Sequence, residues 1–354
     1  MNIEDLVYNA ASWLSGEGDA DGMVVSCRAR LARNLAGWAF APKTTLEDQK
    51  KIIEQVLSAA QKCRPMCDAA FFHMNSLQAN QRQLLVERHL ISPALAKSKG
   101  QRGVLFNADE SLSVMINEED HLRLQAILPG LQTHAAWQRV DALDDALRSE
   151  LDWAQSERWG FLTACPTNTG TGLRISVLIH LPALVLTEDM ERVMRGLTSM
   201  AFAVRGFYGE GTNVVGNLFQ ISNQATLGVT EGEIVEKLSE ITQQIMGHEK
   251  EAQATLLADA SAQVEDKVWR AYGILQHARV LSGQDFMNLL SAVRLGCSLG
   301  LIDGLPLGFI NQLMIVTQPS HLQAEARADL SSADRDVRRA ELVRRRWAEQ
   351  RGLS

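Results

Sequence analysis

The chain has 354 residues, 46% of them apolar and 22% charged, a composition normal for a soluble globular protein with room for two domains and a substantial core. Its formal net charge of −7 argues against general affinity for nucleic acid. The longest apolar run, ISVLIHLPALVLT (residues 175–187), is broken by His180 and Pro182 and is too short to span a bilayer. The first residues carry neither a basic start nor an apolar signal core, and five cysteines, an odd number in so long a chain, do not form a disulfide framework. These features lead us to expect a cytoplasmic protein with no membrane partner and no direct nucleic-acid contact.

Thr45 with Asp48 opens a predicted helix whose apolar positions Ile52, Ile53, Val56 and Leu57 share one face. Cys63 and Cys67 follow it, and with no matching pair downstream they read as ordinary thiols. The apolar period then changes to two: Val104 and Phe106, then Leu112, Val114 and Ile116, then Leu122, Leu124 and Ala126. With NADES and NEED as turns, this predicts an antiparallel meander with one face on a core. GLRISVLIHLPAL reads as a further strand. Thr187 is expected to cap a helix bearing Met190, Val193, Met194, Leu197 and Met200, with the methionines in the core. A Gly-rich loop, RGFYGEGTNVVGN, precedes a short strand, LFQISNQ. Thr230 and Glu233 form a capping box for a helix through Ile234, Leu238, Ile241 and Ile245. A polar, Ala-rich stretch then marks the expected boundary between a mixed region, 1–250, and a helical region, 251–354. In the latter, Ser282 caps a helix with Phe286, Leu289, Leu290 and Val293, and Pro306 suits the first turn of another. The last segment starts with Ser caps and holds six arginines between Arg335 and Arg346.

There is no phosphate-binding G-x-x-x-x-G-K-[ST] loop, no His-Arg-Asp catalytic loop and no HExxH zinc motif. Arginines instead recur beside glycine, serine or acidic residues in five places: SCRARLARN (26–34), ERHL (87–90), NEEDHLR (117–123), CPTNTGTGLR (165–174) and RGFYGEG (205–211). Singly, each has an ordinary reading: solvated strand arginines, a structural histidine on an amphipathic helix, a solvated acidic turn, a buried cysteine, a flexible loop. In this order and spacing, however, SxRxRLARN, NEEDHxR, CPTNxGTGxR and RGxxGEG resemble the phosphagen (guanidino) kinases over residues 22–245. Within that superfamily the chain is more similar to the bacterial protein-arginine kinase branch. SCRAR begins at Ser26, which leaves no room for the helical domain that precedes it in the small-molecule kinases. The helical end also carries RDVRRA (335–340), similar to that branch's RDxxRA motif.

The resemblance implies an α+β fold, a large antiparallel sheet flanked by helices, followed by an all-helical C-terminal domain. It implies an ATP- and Mg²⁺-dependent kinase that phosphorylates arginine side chains of proteins. A guanidinium is planar and charged, and as a cation it has no free lone pair with which to attack phosphorus. Two carboxylates can orient its plane and remove a proton. The resemblance gives that work to Glu119 and Glu210, with Cys165 as an aligning thiolate rather than a covalent nucleophile. It assigns the nucleotide to an arginine clamp of Arg28, Arg30, Arg123, Arg174 and Arg205, with Ser26, His89, Ser176 and Gly209 alongside. His121, Arg123 and Gln125 share one strand face independently of any resemblance. The glycines of the 206–216 loop are expected to give hinge freedom. Arg335, Asp336, Arg338, Arg339 and Ala340 are implied to form a phosphoarginine pocket through which the enzyme senses its product. Mg²⁺ is expected to be held by phosphate and water, with no protein metal site. Also implied are a Clp chaperone–protease, a heat-shock repressor and a zinc-containing activator protein as partners, and a homodimer or higher homo-oligomer. The competing readings are a small-molecule arginine kinase and a non-catalytic adaptor for phosphoarginine-tagged proteins.

Overall fold

A computed structural model describes residues 3–18, 22–41, 43–206, 214–350 and 352. Two 3-10 turns, Ile3–Val7 and Ser12–Leu14, lead into the long strand β1 (Val24–Arg33). The chain continues through α1 (Leu46–Lys62), β2 (Ala70–His73), α2 (Ala79–Glu87), α3 (Pro93–Lys97), β3 (Gly103–Phe106), β4 (Leu112–Ile116), β5 (Leu122–Pro129) and α4 (Thr133–Arg148). A small ribbon, β6 (Gln155–Ser156) and β7 (Gly160–Phe161), precedes β8 (Leu173–His180), α5 (Pro182–Leu186), α6 (Met190–Ser199), β9 (Phe202–Gly206) and β10 (Leu218–Asn223). The rest is helical: α7 (Glu231–His277), α8 (Gly283–Ser298), α9 (Leu307–Val316), α10 (Pro319–Ala326) and α11 (Ser332–Gln350). Eight strands form one antiparallel sheet in the order β2-β3-β4-β5-β1-β8-β10-β9, so the expected α+β architecture holds.

Strand alternation divides the central sheet into two faces. Cys27, Ala29, Leu31, Leu124, Ala126, Ile175, Val177, Phe219 and Ile221 join the main core, with residues of α1, α4 and α7. The meander is packed on both faces, not one. Leu112, Val114 and Ile116 face the main core, while Val104, Phe106 and Met115 build a second cluster with residues of the first turn, α2 and α3. The helical region covers one end of the opposite sheet face, where Val25, Ile127, Leu178 and Leu218 pack with apolar residues of α7, α8, α9 and α11.

The caps at Thr45, Ser282 and the Thr230–Glu233 box form as the sequence predicts. Thr187 differs. Its hydroxyl donates to the Ala183 carbonyl and to Asp189, closing α5, and α6 starts at Asp189 without a side-chain cap bond. Of the α6 methionines, Met190 is buried but Met194 and Met200 are each 37% exposed. Helix α7 crosses position 250 without a break, and its helical angles fail at Ala260 (φ −144°, ψ 33°). Among the described residues no helix is long and apolar enough to cross a membrane.

Candidate active site

Register places the clamp residues. Arg30 of β1 lies opposite Gln125 of β5 and Arg174 of β8, and Arg28 opposite Ile127 and Ser176. Arg123 lies opposite Ala32, and Ser26 opposite Leu178, which pairs with Gln220 of β10. Gln220 in turn pairs with Arg205 of β9. Directly opposed residues share a face, so Ser26, Arg28, Arg30, Arg123, Arg174, Ser176 and Arg205 occupy the sheet face away from the main core. Ser26, Arg28, His89, Ser176 and Gln220 line one narrow cleft there.

The electrostatics of this face are unfavourable in isolation. Burial, then Arg174 and Arg123, lowers the pKa of Arg28 to about 10. Burial lowers that of Arg30 well below the usual arginine range, reinforced by Arg28, Arg123 and Arg174 and opposed by Glu118. The Nε of Arg30 is buried with no hydrogen-bond partner among the described residues. Desolvated like charges gathered in this way have the chemistry to receive a polyanion.

His89 is not on a helix, as the sequence suggested. Helix α2 ends at Glu87, Arg88 caps it, and His89 adopts a left-handed φ of 59°. Its carbonyl accepts from Gln125 Nε2 at 2.8 Å, and its ring meets Trp13 edge-on at 5.3 Å. Burial, then Arg28 and Arg30, pushes its pKa down to about 3, so the imidazole is neutral.

The acidic turn between β4 and β5 separates its three carboxylates. Buried Glu118 pairs with Arg123 at 2.8 Å and accepts from Ser92 Oγ, the N-cap of α3, at 2.5 Å. Buried Asp120 accepts from Asn34 Nδ2 and the Ala164 amide, both at 2.6 Å. Glu119, with its side chain 44% exposed, is 3.1 Å from Arg123 and accepts from Asn168 Nδ2 at 3.4 Å. His121 Nδ1 accepts from the Leu35 amide and its Nε2 lies 3.1 Å from the Ala39 carbonyl, an arrangement that fixes the Nε2–H tautomer.

Cys165, half-buried, precedes a 3-10 turn, Pro166–Asn168, with its Sγ 3.0 Å from Thr167 Oγ1. The turn is pinned by Thr226 Oγ1, which donates to the carbonyls of Thr167 and Thr169. Gly170 has φ +114°, and a Cβ there would lie 2.1 Å from the Thr226 carbonyl. Asn168 and Ala164 therefore bring the Cys165 loop to Glu119 and Asp120. Gly209 and Glu210 lie outside the described residues. Gly216, expected to be a hinge, has φ +64° but packs so closely that a Cβ would lie 2.8 Å from the Met287 carbonyl.

Sequence reasoning left Glu118, Asp120, Asn34, Gln125 and Gln220 without roles; strand pairing brings Gln125 and Gln220 to the site, and Asp120 ties Asn34 to the acidic turn. Arg33, the third arginine of SCRARLARN, points into the core. It forks onto Asp144, stacks 3.5 Å from the Phe161 ring centroid and donates to the Thr171 carbonyl.

In RDVRRA, Arg335 donates to the Leu330 carbonyl, and Arg338 pairs with Glu325 and Glu341. Arg339 is buried, donating to the carbonyls of Thr317 and Leu281 and to Asp336. Ala340 is buried beside it. Arg335, Asp336 and Arg338 are part-exposed, and Val337 is exposed.

Residues 51–252 match the ATP:guanido phosphotransferase C-terminal catalytic domain, and residues 261–352 the protein-arginine kinase McsB C-terminal domain. A protein-arginine kinase of Moorella thermoacetica is 47% identical over 94% of this chain and 96% of its own length. That of Halothermothrix orenii is 43% identical over 98% and 99%. Among solved structures, a lombricine kinase superposes with a TM-score of 0.60 at 25% identity, covering 69% of this chain and 71% of its own. The duplicated taurocyamine kinase of Schistosoma mansoni superposes at 0.57 with 27% identity over 64% of this chain, which spans about a third (33%) of that longer enzyme.

Proposed function

The chain belongs to the ATP:guanido phosphotransferase family, in its protein-arginine kinase branch, and from this we propose that it transfers the γ-phosphoryl group of ATP to arginine side chains of protein substrates by the following route. The nucleotide's phosphates lie across Arg28, Arg30, Arg123, Arg174 and Arg205, with Ser26, Ser176 and neutral His89 at the edges of the site, and Gly209 also serves nucleotide binding. The observation that carries this reading is the register of β1, β5 and β8, which gathers arginines on one desolvated face. A triphosphate relieves their mutual repulsion, and arginine's rigid fork matches phosphate oxygens without rearrangement during transfer. That face is cationic and suits phosphate rather than a bare divalent ion. Mg²⁺ therefore belongs on the nucleotide, held by phosphate and water, where it neutralises charge.

Glu119 and Glu210 orient the acceptor guanidinium. One carboxylate takes its proton, the freed nitrogen forms the N–P bond in line, and the bond from phosphorus to the β–γ bridging oxygen of ATP breaks to release ADP. Cys165, on a turn tied to Glu119 through Asn168, aligns the guanidinium. Residues 1–250 carry out the transfer. Residues 251–354 bind phosphoarginine through Arg335, Asp336 and Arg338, with Arg339 and Ala340 as the buried floor of the pocket. From kinship we further propose marking of proteins for a Clp chaperone–protease, a heat-shock repressor among the substrates, a zinc-containing activator protein and a homodimer or higher homo-oligomer.

An unfolded acceptor protein incubated with ATP and the enzyme, read by mass spectrometry, should gain acid-labile phosphate on arginine. Labelling of free arginine in its place would establish the small-molecule reading. Phosphoarginine binding without transfer would establish the adaptor reading.

A further inference from the structure

A buried polar cluster joins the helical region to the residue before His89. Glu87, the last residue of α2, accepts from the Ser320 amide at 2.9 Å, from the His321 amide at 3.2 Å and from His321 Nδ1 at 2.8 Å. These donors belong to the first turn of α10, 233 and 234 residues further on. Arg88 forks onto Glu110, donates to the Asn9 carbonyl at 2.9 Å and directs Nη1 at His321 Nε2, 3.4 Å away. Since Nε2 meets a donor and Nδ1 meets a carboxylate, His321 is the neutral Nδ1–H tautomer. Glu87, Arg88, Glu110 and His321 are all essentially inaccessible to solvent. Asn80 of α2 also contacts α10, accepting from Gln323 Nε2 at 3.0 Å.

We propose that α10 is a positioning element of the nucleotide cleft, holding Glu87 and Arg88 so that His89 keeps its left-handed backbone and its place beside Arg28. Apolar surfaces can slide over one another, whereas a buried network of charged hydrogen bonds has one geometry. The chain leaves α2 through Glu87 and Arg88, both held, and His89 is fixed next by Gln125 and Trp13. Nucleotide affinity therefore depends on the seating of a helix that lies far from the cleft in sequence and is separate from the transfer carboxylates. Glu87, Arg88 and His321 are positioning residues. This inference rests on the reading of the arginine face as the nucleotide site.

The test compares wild type with E87Q, H321A, H321Q and R28A in the full chain. It measures the Kd for ATP by titration calorimetry, the KM for ATP and for an unfolded protein acceptor, kcat, and thermal stability. E87Q and H321A should each raise the Kd and KM for ATP about tenfold, the scale of one charged hydrogen bond, with kcat at saturating ATP and acceptor KM within about twofold of wild type. H321Q, which keeps a side-chain donor for Glu87, should recover most of the ATP affinity. Unchanged ATP affinity in E87Q and H321A, whatever their melting temperatures, overturns the proposal. So does an equal rise in acceptor KM, which would mean general loosening, and so does failure of H321Q to recover affinity while folded. R28A tests the underlying reading separately: wild-type ATP binding by R28A would displace the nucleotide from this face altogether.

Discussion

Glu118, Glu119 and Asp120 are adjacent in sequence and differ in their partners. Glu118 neutralises Arg123 and caps α3 through Ser92, while Asp120 is spent on Asn34 and the Ala164 amide. Glu119 alone of the three has an exposed side chain, and its partners Arg123 and Asn168 lie at 3.1 and 3.4 Å. An arriving guanidinium can replace the Asn168 contact at little cost. Glu119→Gln should therefore lower arginine transfer by about 10³-fold, the scale of a lost general base, while ATP binds with wild-type affinity. Glu210→Gln should behave in the same way. Single-turnover phosphate transfer alongside ATP titration checks both, and near-normal turnover in either variant would refute the two-carboxylate route. Asp120→Ala leaves two buried donors unsatisfied, and should lower stability by about 2–4 kcal/mol in urea unfolding.

At the scale of elements, the period-two runs at 104–126 were legible because apolar residues recur at every second position, although both faces of the meander are buried, and the caps at Thr45, Thr230 and Ser282 because their side-chain oxygens fall three residues before a matching acidic residue. Helix α4 was not anticipated, although Ala136, Val140, Leu143 and Leu147 recur at helical spacing. Its N-cap, Gln132, makes no side-chain cap bond, so the usual start signal is missing. The clamp arginines were readable as a motif, but their common face depends on cross-strand register, which no local pattern encodes. The Glu87–His321 contact spans 234 residues and leaves no local trace. Two interior contacts hold the elements around the Cys165 loop. Asp144→Ala would remove the main carboxylate partner of the buried Arg33 guanidinium, leaving Glu231 at 3.8 Å, and should cost about 3 kcal/mol in denaturant unfolding. Gly170→Ala would force a Cβ into the Thr226 carbonyl at φ +114°. It should lower the melting temperature and impair transfer more than ATP binding, since the loop it distorts carries Cys165 and Asn168.

At the scale of the whole molecule, four histidines with lowered pKa join distant elements beside the apolar clusters. His180 Nε2 lies 2.7 Å from Ser291 Oγ of α8, His321 joins α10 to α2, His89 meets Trp13, and His121 anchors the segment after β1 to the acidic turn. Burial is the leading cause of a lowered pKa at all four, and it holds His89 at about 3. The sign of the pH dependence follows. Below pH about 6.5 the unfolded chain binds more protons at these imidazoles than the native chain does, so unfolding takes up protons and stability drops as the pH falls. Between pH 7 and 5.5 His89, held at about 3, contributes a loss of about 1.3 kcal/mol, and His180, His321 and His121 add to it in the same direction. Burial raises Asp144, Glu231 and Glu249, and these carboxyls titrate with the opposite sign. Urea unfolding across that interval should show the loss in wild type. His180→Asn and His321→Gln should each reduce it, whatever they do to stability at pH 7. A wild-type curve that stays flat from pH 7 to 5.5 would mean that these histidines carry their protons in the native state, and that these contacts are held by charge rather than by neutral hydrogen bonds.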